Sequence, residues 1–197
     1  HDLRRCLLHA GDALPEPQDF DLLVVMGGPM SVHDELQFPW LAQEKRCVKL
    51  AVAKGRSVLG VCLGAQMLSE VLGGQVPPGV HREIGWHPVE ASLWAASSPL
   101  FRGIPRRFTA FHWHGETFAL PPAAERLLES DYCANQAFAL GPHLALQCHV
   151  EMTEAMIESW CEIGAEEIAE AAASPGVQSP ERMRALNAVN LPALRAV

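Results

Sequence analysis

The chain has 197 residues, about half of them apolar, and a formal charge of −8. That length can bury a full core without disulfide or metal staples, and the negative balance repels phosphates, which argues against nucleic acid or an anionic membrane as a main partner. No apolar run approaches the ~20 residues of a membrane span, and the opening HDLRRCLLHAGD lacks the basic, apolar and small-residue order of a signal peptide.

In chain order, LRRCLLHA (3–10) reads as a strand. It resembles the second strand of a doubly wound sheet more than the first, so a first strand is expected to be lacking or that edge to be unusual. FDLLVVMGG (20–28) and SVLGVC (57–62) are continuous apolar runs, the habit of strands buried on both faces in a parallel sheet. Between them, FPWLAQEKRCVKLAVAKG places Leu41, Lys45, Val48 and Val52 near one helical face and stops at Gly55. Strand, helix, strand is a right-handed βαβ unit. A short helix, MLSEVLGG, follows GVCLGAQ, and from Gln75 to about Gly141 short segments punctuated by Pro and Gly predict antiparallel hairpins or edge strands. HLALQCH (143–149) resumes a buried strand. A helix is then predicted from an N-cap at Thr153, with Met156, Trp160, Ile163 and Ile168 on one face and its end at SPG (174–176). The last twenty residues predict one more short helix. Neither a repeat nor a domain linker is evident, so residues 1–197 are expected to form one domain.

The six cysteines are scattered without a CxxC pair, which speaks against a zinc knuckle, a thioredoxin motif or a disulfide framework and for a reducing cytoplasm. Cys62 stands apart. In GVCLGAQ (60–66) it sits between two glycines, where an apolar strand gives way to a helix. G-x-C-x-G at such a junction is the thiol version of a nucleophile elbow. The turn lifts the side chain above the strand ends, and the helix N-terminus behind it favours the thiolate. The N–H of Leu63 is then placed to donate to an oxyanion, with Gly27 or Gly28 of MGGP as a second donor. On its own the turn is equally compatible with a buried structural thiol.

QCHVE (147–151) shifts the balance. His149 would be the base. Glu151, two residues on in an extended segment, shares its face and can fix its tautomer. Elbow, glycine loop and His-x-Glu all fall at one end of the predicted parallel sheet, where open α/β sheets bind ligands.

Taken together, GVCLGAQ, DFDLLVVMGGPMSVHDE, EIGWHPVE, FHWHGETFALP and LALQCHVE resemble the class I glutamine amidotransferase domain, and especially the branch similar to the glutaminase domain of GMP synthase. The resemblance runs from about Asp21 to Glu151. It implies an α/β, flavodoxin-like fold: a doubly wound, mostly parallel sheet with helices on both faces and a small antiparallel hairpin region. It also implies hydrolysis of the γ-amide of L-glutamine through a γ-glutamyl thioester, with release of ammonia. Residue by residue, Cys62 would be the nucleophile, His149 the general base and acid, and Glu151 its orienting carboxylate. Gly28 and Leu63 would form the oxyanion hole. Gln66 would hold glutamine, with Trp113, His114, Gly115 and Glu116 on a loop against the substrate's amino-acid end. Cys148 and Val150 depart from the aromatic and proline usual beside the histidine; Cys148 is expected to be packing.

No cofactor is implied. His112 and His114 have metal-ligand spacing, with Glu116 beyond them, but no second cluster completes a shell, so no metal is expected. GGPM lacks the lysine and length of a Walker loop. Three functional readings remain: a glutaminase serving a separate synthetase subunit, a stand-alone γ-glutamyl hydrolase or peptidase, and a non-catalytic binding or regulatory module.

Overall fold

The computed structural model describes residues 2–196. Its main elements are β1 (Leu22–Val25), α1 (Trp40–Ala53), β2 (Ser57–Val61), α2 (Leu63–Val71), β3 (Pro78–Ala91), α3 (Leu93–Ser97), β4 (Arg107–Glu116), β5 (Glu125–Ser130), β6 (Ala137–Leu140), β7 (His143–Leu146), α4 (Glu154–Ile163), α5 (Ala165–Glu170), β8 (Gly176–Val177) and α6 (Pro180–Leu194). One eight-stranded sheet runs β1-β2-β7-β6-β5-β3-β4, with β8 added to β3.

The strands β1, β2 and β7 are mutually parallel, as is the β3–β8 pair, and the fold is α/β as expected. The antiparallel part is larger than a small hairpin region. β3 and β4 run together from Glu90↔Arg107 through Glu83↔His114, and β5 and β6 link them antiparallel to β7. Burial explains this division. Residues of α1 and α2 (Leu41, Val48, Met67, Leu68) enclose Val25, Val58 and Ala145 in one core, where continuous apolar strands are needed. A second core gathers Ile84, Trp86 and Phe111 of β3 and β4 under Ile157, Cys161, Ile168, Met183 and Leu191. A third joins Val89, Ala110, Leu127, Leu128 and Cys148.

Three expectations need correction. The segment LRRCLLHA is not a strand: only a single turn of 3₁₀ helix forms at Leu8–Ala10, and Leu3 and Leu7 are exposed. A strand exists by pairing, and none of the described strands pairs with it. β1 is not buried on both faces either. Leu22 and Val24 are 52% and 42% exposed while Val25 is buried, because β1 is an edge strand with β2 as its neighbour on one side. Finally, the helix after Thr153 is two helices. Thr153 does cap α4, accepting from the N–H of Met156 at 3.2 Å. The chain breaks at Gly164, where the Trp113 ring leaves no space for a Cβ, and Ile163 faces solvent instead of the core.

Candidate active site

β2 delivers the chain to Cys62 and α2 carries it away. Cys62 has φ 52° and ψ −109°, a conformation that L-residues rarely adopt and that costs of order 1–3 kcal/mol. Its backbone is held there from both sides. The Cys62 N–H donates to Leu146 O at 2.7 Å, and Cys62 O accepts from the N–H groups of Ala65 and Gln66 at 3.0 and 3.1 Å. The flanking glycines serve close approach, not a left-handed turn. A Cβ on Gly60 would run into the carbonyl of Gly64, and one on Gly64 into the carbonyl of Val25. The strain therefore falls on the cysteine itself, and the glycines let α2 start directly against β1 and β2.

The MGGP loop leaves β1 beside this turn. A Cβ on Gly27 would stand 3.2 Å from Cys62 Cβ, 3.4 Å from His149 Cε1 and 3.8 Å from Cys62 Sγ. On Gly28 it would meet Leu63 Cδ2 at 3.2 Å and Met30 Sδ at 2.6 Å. The loop thus lies on the elbow, with Gly27 nearer the thiol and Gly28 nearer Leu63.

His149 lies just past β7, tied to β4 by reciprocal backbone bonds with Phe111 of 2.8 and 3.2 Å. Its ring is almost fully buried, edge-on to Trp160 at 5.0 Å between centroids. Nδ1 is 2.7 Å from Glu151 Oε1, while Nε2 is buried without a formed hydrogen bond, on a ring that borders Cys62. Burial alone would lower the basicity of His149. The attraction of the neighbouring Cys62 thiol and of Glu151 outweighs it and raises the ring to about 10. Glu151 is also raised by burial, but the ring's influence is greater and the net direction is down. Cys148 points into the third core and burial pushes its thiol up, as packing requires.

These features, a strained cysteine at a strand–helix junction with a histidine–carboxylate pair against it, coincide with what comparison with known proteins finds. Residues 9–159 match the family described as Glutamine amidotransferase class-I. The chain belongs to the class I glutamine amidotransferases. It is 34% identical over 185 residues to a glutamine amidotransferase-like protein of Salmonella typhimurium, YfeJ, covering 91% of this chain and 77% of that one. It is also 36% identical over 141 residues to GMP synthase [glutamine-hydrolyzing] of Thermomicrobium roseum, which covers 70% of this chain but 24% of that longer protein. Among solved structures, a glutamine amidotransferase of Thermotoga maritima superposes with a TM-score of 0.82 at 31% identity (97% of this chain, 82% of that one). One of Methylobacillus flagellatus gives 0.87 at 38% identity (96% and 78%). The flavodoxin-like α/β fold is shared with these amidotransferases.

In this chain, Gln66 on α2 is buried, and its Nε2 donates to Glu116 O and to Gln147 Oε1, both at 3.2 Å. Trp113 presents its carbonyl to Cys62 Sγ at 3.8 Å, and its indole N–H donates to Glu167 at 2.8 Å. Gly115 packs on Arg82, and the Glu116 carboxylate accepts from Ser31 Oγ at 3.0 Å, which ties β4 to the loop after MGGP. His114 is engaged at both ring nitrogens: Nδ1 with Glu116 O and Nε2 with Glu83 Oε2, each at 3.0 Å.

Glu83 and Gln147 escaped the sequence reading. Glu83 stands opposite His114 on β3, so cross-strand pairing puts its carboxylate with His112 and His114, within 4.8 Å of both. Glu116, assigned to that cluster from spacing, points elsewhere. Glu83 accepts from Ser130 Oγ at 2.7 Å and Gln136 Nε2 at 2.6 Å, besides contacting His114. Glu83 and His114 are engaged in hydrogen bonds, whereas both ring nitrogens of His112 are buried without a partner. The signal for Gln147 was available, since it precedes His149 by the same two residues that separate His149 from Glu151.

Proposed function

We propose that this chain hydrolyses the γ-amide of L-glutamine, with Cys62, His149 and Glu151 as its catalytic triad. The observation that carries the reading is the Cys62 turn itself: backbone strain is retained at a buried thiol bordered by a histidine whose other nitrogen is 2.7 Å from a carboxylate. In this reading the Cys62 thiolate attacks the amide carbon while the N–H groups of Leu63 and Gly28 hold the developing oxyanion. His149, its Nδ1 proton held by Glu151, gives the Nε2 proton it took from the Cys62 thiol to the departing nitrogen, and ammonia leaves. Water then enters, His149 takes its proton, and hydroxide attack on the γ-glutamyl thioester releases glutamate and the thiolate. Gln66 and the Trp113–Glu116 segment flank the substrate. His114 enters as the anchor of that segment, because its ring nitrogens are used inside the fold. Ammonia passes to an acceptor held by a separate synthetase, a role supported by the kinship with GMP synthase. Six unpaired thiols fit a reducing cytoplasm, and none of the described helices is long and apolar enough to cross a membrane.

The test is glutamate release by the purified chain from L-glutamine and from γ-glutamyl peptides, with Cys62→Ala as control. Cys62-dependent release from glutamine supports the proposal. Preferential release from the peptides would reassign the leaving group and make the chain a γ-glutamyl hydrolase. Neither release nor Cys62 labelling by a thiol-directed glutamine analogue would leave a non-catalytic module.

A further inference from the structure

We infer that Gln147 positions two groups of the site at once, the Cys62 sulfur and the Gln66 amide, through a hydrogen-bond chain with one fixed polarity. The inference rests on the proposed roles of Cys62 and Gln66. Gln147 is completely buried and comes from the segment between β7 and His149. Its main chain is pinned by its own N–H, which donates to Gln136 O at 2.8 Å. Its side chain has one acceptor and one donor group, and both are assigned. Oε1 accepts from Gln66 Nε2 at 3.2 Å, and Nε2 donates to Cys62 Sγ at 3.7 Å.

The polarity follows from Gln66. Its Nε2 faces two acceptors, Glu116 O and Gln147 Oε1. Reversing the Gln66 amide would set its oxygen against the Glu116 carbonyl, and a carbonyl cannot donate. Gln66 therefore spends both protons inside the protein and keeps Oε1 for the ligand, where it can only accept. That suits an ammonium or amide N–H of the substrate and rejects an anionic group at the same point. With Gln66 fixed as donor to Gln147, the Gln147 amide can only turn its own N–H groups away from Gln66. One of them points at the sulfur, where a donor favours thiolate over thiol. A single buried amide thus links the substrate-facing carbonyl of Gln66 to the charge state of the nucleophile.

Gln147→Met and Gln66→Met, which fill similar space without hydrogen-bonding groups, separate the two effects. The first readout is the pH profile of Cys62 alkylation by iodoacetamide, in a background with the other cysteines mapped by mass spectrometry. The second is the KM for glutamine. Gln147→Met is expected to move the alkylation midpoint at least half a pH unit to the alkaline side and to raise KM about tenfold. Gln66→Met is expected to raise KM and to move the alkylation profile less than Gln147→Met does, because it frees the Gln147 amide to turn without removing it. An unmoved profile in folded Gln147→Met, checked by circular dichroism, overturns the action on sulfur. An unmoved KM overturns the action through Gln66. Should Gln147→Met fail to fold, Gln147→Asn, which keeps the amide but falls short of the sulfur, is expected to show the same alkaline shift. The alkylation arm needs no turnover, so a wild type inactive on every γ-glutamyl compound would defeat the proposed function while leaving the effect of Gln147 on the thiol measurable.

Discussion

Glu151 Oε1 stands 2.7 Å from His149 Nδ1, and the thiol of Cys62 lies beside the same ring. The carboxylate thereby fixes which nitrogen carries the proton that faces away from sulfur. Glu151→Gln keeps the shape and removes the charge. Its kcat on glutamine is expected to fall about 10²–10⁴-fold with a small change in KM, as when a triad loses its orienting charge. NMR titration should find His149 closer to its ordinary value than in the wild type. A Glu151→Gln enzyme with undiminished kcat would remove Glu151 from the triad.

The same pair sets a pH window for stability. His149 is raised from its ordinary 6.5 to about 10, so the folded state holds a proton that the unfolded chain releases above 6.5. Its contribution is fully present below about pH 6.5 and is lost as the pH climbs through about 10. Urea denaturation of wild type and His149→Asn between pH 6.5 and 10 should show the wild type losing more stability across that interval. Parallel curves would mean that the charged ring adds nothing to the fold.

Much of this site was legible because its chemistry is local. The elbow is a five-residue pattern, and His149 and Glu151 are two apart in extended backbone, so period alone brought them together. What escaped depends on contacts between distant segments. Glu83 meets His114 only through the β3–β4 register, and the break at Gly164 exists because a tryptophan from β4 occupies the space. LRRCLLHA has the composition of a strand and lacks a partner to make it one. The size of the antiparallel region was underread because β3 is a single strand whose bulge between Pro78 and Glu83 hides its continuity in the sequence.

Gly64 tests the close-packing account of the elbow. A Cβ there would overlap the Val25 carbonyl, so Gly64→Ala must part α2 from β1, at a cost of about 1–3 kcal/mol and with displacement of Cys62. Gly55, which ends α1 at φ 69° with nothing near its Cβ position, gives the contrast. Gly55→Ala is expected to cost about 1 kcal/mol from backbone strain alone and to leave turnover unchanged. Thermal melts and glutaminase rates of the two variants decide the matter. Equal losses of activity would show that the elbow does not depend on that contact.

His112 offers a prediction in acid. It is fully buried, neither ring nitrogen has a hydrogen-bond partner, and burial pushes its basicity down to about 3 despite the nearby Glu83 carboxylate. In the unfolded chain the same ring takes up a proton near its ordinary 6.5. Between those values the unfolded state binds the extra proton, so stability falls as the pH drops from 6.5 toward 3. Glu83 acts in the same direction further down. Burial favours its neutral form, but the histidines and Ser130 hold it to about 2, so its contribution is lost as the pH falls from 4.5 toward that value. His112→Phe removes the first effect while filling the cavity, and forfeits no hydrogen bond. Its acid-unfolding midpoint, followed by circular dichroism, is expected to lie below that of the wild type, with stability at pH 7 equal or higher. A midpoint that stays put or rises would show that His112 is not the group whose protonation opens the β3–β4 core.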